Sequence, residues 1–330
     1  MFGLTQKMTS MWSGASEASF ARSSHSPRRS AGTSQTPMTD IGTSTKLMGP
    51  DTRSAGLALA RDFPPIRYTG LTALKKVVDT HRDKLHSNGG DGNQHVAFDN
   101  VSQEVFEKIE RKRLELVMKA TLSYFPDIET LIVKIPTQPH EKAHGQLGQL
   151  ILVKKIAPMN LDLNSFAFMG SITKKGPSGS RKESDSAWRN ANVRSHQDDF
   201  PCLVIEAGMS ESLARLRSDA RWWIESSAGR VNIVLIIWVS KATMVLHIEK
   251  YVPDSPLTRT SPRLPRPVSA NLTATVVIGC AASPTTVTGA PLVLEFNGVF
   301  DRPPNPPLEG DIVLTMHDLE SFGNNFWIGI

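Results

Sequence analysis

Cysteine is scarce in this chain of 330 residues, which contains only Cys202 and Cys280. A secreted domain held together by disulfides would need more cysteines, so we expect two buried thiols. The sequence also lacks an apolar run of about 18 residues, so no transmembrane helix is expected and a membrane is not predicted as a partner. No apolar stretch typical of a secretory signal follows the N-terminus, and we expect an intracellular protein, nuclear or cytoplasmic.

Acidic residues are almost absent from residues 1–39, where Glu17 stands alone among many serines and several arginines. The low hydrophobicity of residues 1–62 predicts a disordered Ser/Arg-rich tail. Its composition also suits an organelle transit peptide. The chain has a formal net charge of +5, which permits DNA or RNA as a partner without demonstrating one. The sequence does not indicate an oligomeric state.

The spacing of apolar residues predicts the order of elements behind the tail. Residues 63–136 form a predicted N-terminal helical segment, with two amphipathic helices, the second over 101–125, and a short strand over 129–136. Residues 137–330 form the predicted core, which includes a proline-rich loop over 253–270 and a C-terminal extension. Within 140–252 the order is helix, three strands, helix and two strands. This order predicts an α/β (α+β) fold with a central mixed β-sheet flanked by helices.

The string His140-Glu141-Lys142-Ala143-His144 fits the H-E-x-x-H pattern of zinc proteases. Two histidines one helical turn apart can bind zinc. The extended form of the pattern requires Gly and His where this sequence has Leu147 and Leu150. A zinc metalloprotease is therefore a remote alternative, and partly exposed histidines near a helix N-terminus are the plainer interpretation.

Two other acidic residues are notable for their context. Glu206 ends the apolar run Cys202-Leu203-Val204-Ile205, and a carboxylate buried there needs a partner. Asp185 precedes it by 21 residues on a short predicted strand. If the two strands are adjacent, the carboxylates could bind Mg²⁺ or Mn²⁺, which would activate water for phosphodiester hydrolysis. The alternative for Glu206 is an ion pair with Arg215 or Arg217 of the next helix.

The stretch "GSRKESDSAW … DDFPCLVIEAGMSESLARLRSDARWWIESSAGRVNIVLIIWV" resembles the restriction-endonuclease-like PD-(D/E)XK superfamily, and in particular an uncharacterised fungal branch of it. The similarity is clearest over 140–252, about a third of the chain. The resemblance implies a nuclease-like core in which Asp185 and Glu206 hold the metal. It also implies that Glu141 is the acid that many members carry on the helix before the core.

The chain departs from that superfamily at the motif lysine, whose position is occupied by Gly208. The lysine normally orients the attacking water and stabilises charge. The following helix offers Arg215 and Arg217 as candidates for charge stabilisation, but an arginine is a poor general base. A catalytically degenerate module that binds nucleic acid or protein is therefore the alternative. For an active site, we expect Asp185 and Glu206 to converge on one side of the sheet, with Glu141 approaching from the preceding helix.

Overall fold

The computed structural model describes residues 51–58, 64–114, 120–209, 213–254 and 267–330, with the side chains of 51–53 left out. The predicted disordered tail lies outside these residues except at its end, and so does most of the predicted loop over 253–270. The described helices are α1 (Asp51–Ala58), α2 (Leu71–Ser87), α3 (Gln103–Lys112), α4 (Gln138–Ile151), α5 (Leu213–Ser226), α6 (Phe296–Phe300) and α7 (Met316–Phe326).

The described strands divide mainly between two sheets. They are β1 (Ile66–Arg67), β2 (His95–Asp99), β3 (Thr121–Phe125), β4 (Thr130–Lys134), β5 (Ala167–Gly170), β6 (Thr173–Lys175), β7 (Arg181–Glu183), β8 (Ser186–Arg189), β9 (Leu203–Met209), β10 (Ile233–Ser240), β11 (Val245–Pro253), β12 (Ala270–Gly279), β13 (Thr286–Thr288), β14 (Leu292–Leu294) and β15 (Ile312–Leu314). A six-stranded sheet has the order β1-β2-β4-β3-β7-β6, and a seven-stranded sheet has the order β13-β12-β11-β10-β9-β8-β5.

The seven-stranded sheet is mixed, because β9 and β10 are parallel while the other neighbours are antiparallel. Strand β9 is buried along its whole length, as expected for a continuous apolar run. Leu203 and Ile205 pack in the same apolar cluster as side chains of α4 and α7, whereas Val204 packs with Trp222 and Trp223 of α5. Helices therefore cover both faces, and the predicted mixed α/β architecture is confirmed.

Trp188 of β8 packs under α4. A Cβ atom added to Gly148 would lie 2.8 Å from the Trp188 ring, a distance that real Cβ contacts do not reach. Gly148 therefore lets the helix approach the indole closely, and the helix lies against the sheet near the predicted site.

The segment 63–136 differs from the helical prediction, because it also contains β1, β2 and β3. Strand β4 matches the short strand predicted over 129–136. The single helix expected over 101–125 is wrong, since α3 ends at Lys112 and residues 121–125 form β3. In this strand Leu122 and Tyr124 pack in one apolar cluster, and Phe125 packs in another. Burial on two faces with a period of two residues favours a strand over a helix.

The C-terminal extension contributes the small β14–β15 sheet together with α6 and α7. Apolar residues of all four elements join the core beside α4. Among the described residues, none of the helices combines the length and the apolar character that crossing a membrane requires.

Candidate active site

Three separate elements bring the candidate residues together. Asp185 lies between β7 and β8, where the chain passes from the six-stranded sheet to the seven-stranded sheet. Glu206 lies two residues after Val204 on β9, so its side chain points to the same face of the sheet, which α5 covers. Lys134 is the last residue of β4 in the six-stranded sheet. The three side chains meet between the two sheets.

Lys134 joins the two carboxylates. Its Nζ lies 2.5 Å from Asp185 Oδ2 and 3.6 Å from Glu206 Oε2, and it donates to the Ala207 carbonyl at 2.7 Å. The Ala207 amide donates to Asp185 Oδ2 at 2.8 Å. Asp185 and Glu206 therefore converge on one lysine. The sequence predicts that the two carboxylates converge on one side of the sheet, with Glu141 approaching from the preceding helix, and the catalytic role of these residues stays a prediction.

A second lysine approaches Glu206 from β7. Lys182 Nζ lies 3.6 Å from Glu206 Oε1 and 2.9 Å from Asp219 Oδ1. Trp223 donates its indole N–H to Glu206 Oε1 at 2.6 Å. The contacts of Glu206 thus come from lysines and a tryptophan, and not from the arginines considered as its alternative partners.

The two candidate arginines have other partners. Arg215 donates to Asp219 Oδ1 at 2.5 and 2.9 Å and to the Leu57 carbonyl at 2.6 Å. Arg217 pairs with Glu249 at 2.6 Å, and its side chain is half-exposed. Arg215 therefore belongs to the buried surroundings of Asp185 and Glu206, while Arg217 contacts an acid on β11.

The side chains around Glu206 form a buried group with balanced charge. Three acids and three bases take part, and each side chain has an exposed fraction of 7% or less. We call this group the buried ion cluster: Lys134, Lys182, Asp185, Glu206, Arg215 and Asp219.

The pKa values of the two proposed metal ligands, Glu206 and Asp185, are shifted in opposite directions. Burial outweighs the neighbouring lysines and raises the pKa of Glu206 to about 7. Burial alone would also raise the pKa of Asp185, but His140 and Lys134 outweigh it and hold that pKa well below its usual value. Burial would lower the pKa of Lys134, yet Asp185 and Glu206 raise it. At neutral pH, Asp185 and Lys134 form an ionised pair and Glu206 is partly protonated.

Glu141 reaches Asp185 only through a histidine. The Glu141 side chain is 59% exposed, and its carboxylate lies 3.2 Å from His140 Nδ1 and 3.5 Å from His144 Nε2. The opposite nitrogen of His140, Nε2, lies 3.0 Å from Asp185 Oδ2. Contacts with both imidazoles lower the pKa of Glu141. The first turn of α4 is thus connected to the buried ion cluster through His140.

Lys134, Lys182 and His140 are partners of the two carboxylates that were not predicted from the sequence. Lys134 carried a signal, because a charged residue at the end of the apolar run Leu131-Ile132-Val133 needs a buried partner. Lys182 carried none, since it lies in a basic stretch that fits a solvated turn equally well. Lys134 and Glu206 are far apart in the sequence, so their contact could not be predicted from local spacing.

The chain matches no protein-family model, and a search among curated proteins gives no match. The functional argument therefore depends on the geometry of the described residues.

Proposed function

We propose that the chain is a nuclease-like protein with a restriction-endonuclease-like core that hydrolyses phosphodiester bonds of DNA or RNA with Mg²⁺ or Mn²⁺. One observation carries the proposal. The Nζ atom of Lys134 lies within 3.6 Å of both carboxylates, although the sequence position of the motif lysine is Gly208. A lysine from another strand thus stands beside Asp185 and Glu206.

The donor atoms near Lys134 suit a hard divalent cation. Asp185 Oδ1 and Glu206 Oε2 are buried and lack hydrogen-bond partners. Carboxylate oxygens are the ligands that Mg²⁺ prefers, so Asp185 and Glu206 would hold the ion. When bound, such an ion lowers the pKa of water and offsets charge on a phosphodiester.

The remaining residues have roles that follow from their contacts. The ammonium group of Lys134 would stabilise negative charge that develops on the phosphate. Lys134 and the Ala207 amide donate to Asp185 Oδ2, and His140 Nε2 lies 3.0 Å from the same oxygen. Arg215 positions Asp219, which holds Lys182 at 2.9 Å beside Glu206. Glu141 acts on this arrangement through His140.

The proposal is tested by incubating the purified chain with supercoiled plasmid, single-stranded DNA and RNA in Mg²⁺ or Mn²⁺. We expect cleavage by the wild type and a loss of at least about 100-fold in Glu206→Gln, because removing a metal ligand should cost more than the roughly 10- to 100-fold typical of residues that only support a ligand. Glu104→Gln, which changes an exposed acid on α3, is the matched control and should cleave like the wild type. Equal cleavage by wild type and Glu206→Gln would refute the assignment of the site.

A catalytically degenerate module that binds nucleic acid or protein is the second candidate. The three acids of the buried ion cluster are already balanced by three basic side chains, all nearly excluded from solvent. A divalent ion would add uncompensated positive charge there, and an unpaired buried charge is costly. This candidate predicts no cleavage with either cation, together with binding to DNA that weakens steeply as salt increases.

A further inference from the structure

Three side chains of metal-ligand type converge on the first two turns of α4. The potential ligand atoms of His140, Glu141 and His144 all lie within 4.8 Å of one another. Imidazole nitrogens combined with a carboxylate suit Zn²⁺ better than Mg²⁺. We infer that His140, Glu141 and His144 form a binding site for a transition-metal ion of the Zn²⁺ class, separate from the proposed Mg²⁺ ligands.

Each imidazole has one nitrogen near Glu141, and its other nitrogen lies near a residue outside the three. His144 Nδ1 lies 2.8 Å from Ser186 Oγ, and His140 Nε2 lies 3.0 Å from Asp185 Oδ2. The nitrogens that face Glu141, His140 Nδ1 and His144 Nε2, are buried and lack hydrogen-bond partners. Zinc-binding histidines have this arrangement, in which a carboxylate or hydroxyl on the far nitrogen fixes the ring.

The carboxylate of Glu141 lies close to both imidazoles. Its Oε1 is 3.2 Å from His140 Nδ1, and its Oε2 is 3.5 Å from His144 Nε2. Zinc bonds to nitrogen and oxygen of about 2.0–2.2 Å place neighbouring tetrahedral ligands roughly 3.3–3.5 Å apart. Each imidazole nitrogen thus lies at about this separation from a carboxylate oxygen.

An ion can enter this site from solvent. His140 and His144 are buried, but the Glu141 side chain is 59% exposed. Three protein ligands leave the fourth tetrahedral position for water or another small ligand. In zinc proteases the glutamate of H-E-x-x-H is the general base, whereas Glu141 contacts both imidazoles as a third ligand would. The inferred site therefore does not require a protease.

The inference is tested by titrating the full chain, freed of metal by a chelator, with Zn²⁺ in a calorimeter at pH 7.5. We expect one ion per chain with a dissociation constant at or below the micromolar range. Glu141→Gln and His144→Gln should each weaken binding at least about 10-fold, because each removes or weakens one of three ligands. Glu104→Gln, a matched change in the first turn of α3, should bind like the wild type. Glu141→Gln alters an exposed side chain, so its folding is not at risk.

Two further measurements distinguish this site from the proposed nuclease site. Co²⁺ bound in place of Zn²⁺ should give the strong visible absorption of tetrahedral coordination, and Glu141→Gln should abolish it. Glu206→Gln should keep its Zn²⁺ affinity whether or not it cleaves DNA, since the contacts of Glu206 are with Lys134, Lys182 and Trp223. Absence of saturable Zn²⁺ binding, unchanged binding by Glu141→Gln, or equal loss in Glu206→Gln would each overturn the inference.

Discussion

Two glutamates at the same level of the seven-stranded sheet have pKa values shifted in opposite directions. Glu206 on β9 and Glu249 on β11 are both register partners of Ile236 on the strand between them. Both side chains are only 1% exposed. The pKa of Glu206 is raised to about 7, whereas that of Glu249 is lowered to about 2. The shared position in the sheet therefore does not determine the pKa of either glutamate.

Burial is the main cause that raises the pKa of Glu206, and the neighbouring carboxylates of Asp185 and Asp219 raise it further. Hydrogen-bond donors also distinguish the two glutamates. Burial raises the pKa of Glu249, but His247, Arg217 and Tyr251 together outweigh it. These donors lie 2.9, 2.6 and 2.7 Å from its oxygens. Glu206 has one close donor, Trp223, and its lysines lie 3.6 Å away. Several close donors stabilise a buried carboxylate, and more distant charges do so incompletely.

The comparison separates a structural acid from a candidate functional one. Glu249 is fully paired, so it has no oxygen left for a ligand. Glu206 retains an oxygen without a hydrogen bond, and its pKa of about 7 makes its protonation sensitive to changes near neutrality. Such a perturbed carboxyl is the kind of group that marks functional sites.

The largest expected effect follows from removing the lysine beside Glu206. Lys134→Met should lower the free energy of unfolding by about 3–5 kcal/mol, because it leaves Asp185 buried and ionised without its closest cation. Urea denaturation at pH 7 measures the change. In contrast, Lys75→Met removes a partly exposed pair with Asp79 on α2 and should cost less than about 1 kcal/mol. A cost for Lys134→Met equal to that of Lys75→Met would contradict the description of the buried ion cluster.

Removing the charge of Glu206 itself should give an effect that depends on pH. Between its usual value of 4.5 and about 7, the folded state holds more protons than the unfolded state, so wild-type stability falls as pH rises. The glutamine amide in Glu206→Gln does not ionise in this pH range. Its stability relative to wild type should therefore increase between pH 4.5 and 8, by about 3 kcal/mol. Urea denaturation across this range measures the difference, and a pH-independent difference would show that the pKa of Glu206 is not raised.

Much of the fold could be predicted from periodicity. The buried runs of β9 and β10, the helix between them and the hairpin partner β11 all appear in the sequence as patterns of apolar residues. Arg215 and Asp219, four residues apart on α5, form an ion pair, as this spacing allows on a helix. These elements depend on neighbours close in the chain, whose spacing a single sequence contains.

The candidate site could be predicted only in part. Asp185 and Glu206 were identified by strand context and resemblance, but Lys134 comes from a different sheet. Strand β3 was mistaken for part of a helix, because the alternating burial of Leu122, Tyr124 and Phe125 arises only when the six-stranded sheet packs. Tertiary contacts between distant segments determine which charged side chains pair. The pattern of residues within one segment does not predict these contacts.

The smallest expected effect concerns the well-paired acid. Glu249→Gln should lower stability at pH 7 by about 1–2 kcal/mol, because the amide accepts fewer hydrogen bonds from Arg217, His247 and Tyr251. The wild-type advantage is present above the usual pKa of 4.5 and is lost as pH falls toward about 2, since the unfolded state then binds the proton more readily. Urea denaturation at pH 7 and pH 3 should therefore show that the wild type gains stability relative to Glu249→Gln as pH rises. For Glu206 the variant should gain stability relative to the wild type as pH rises. If both variants lost or both gained stability relative to the wild type as pH rises, the opposite pKa shifts of the two glutamates would be contradicted.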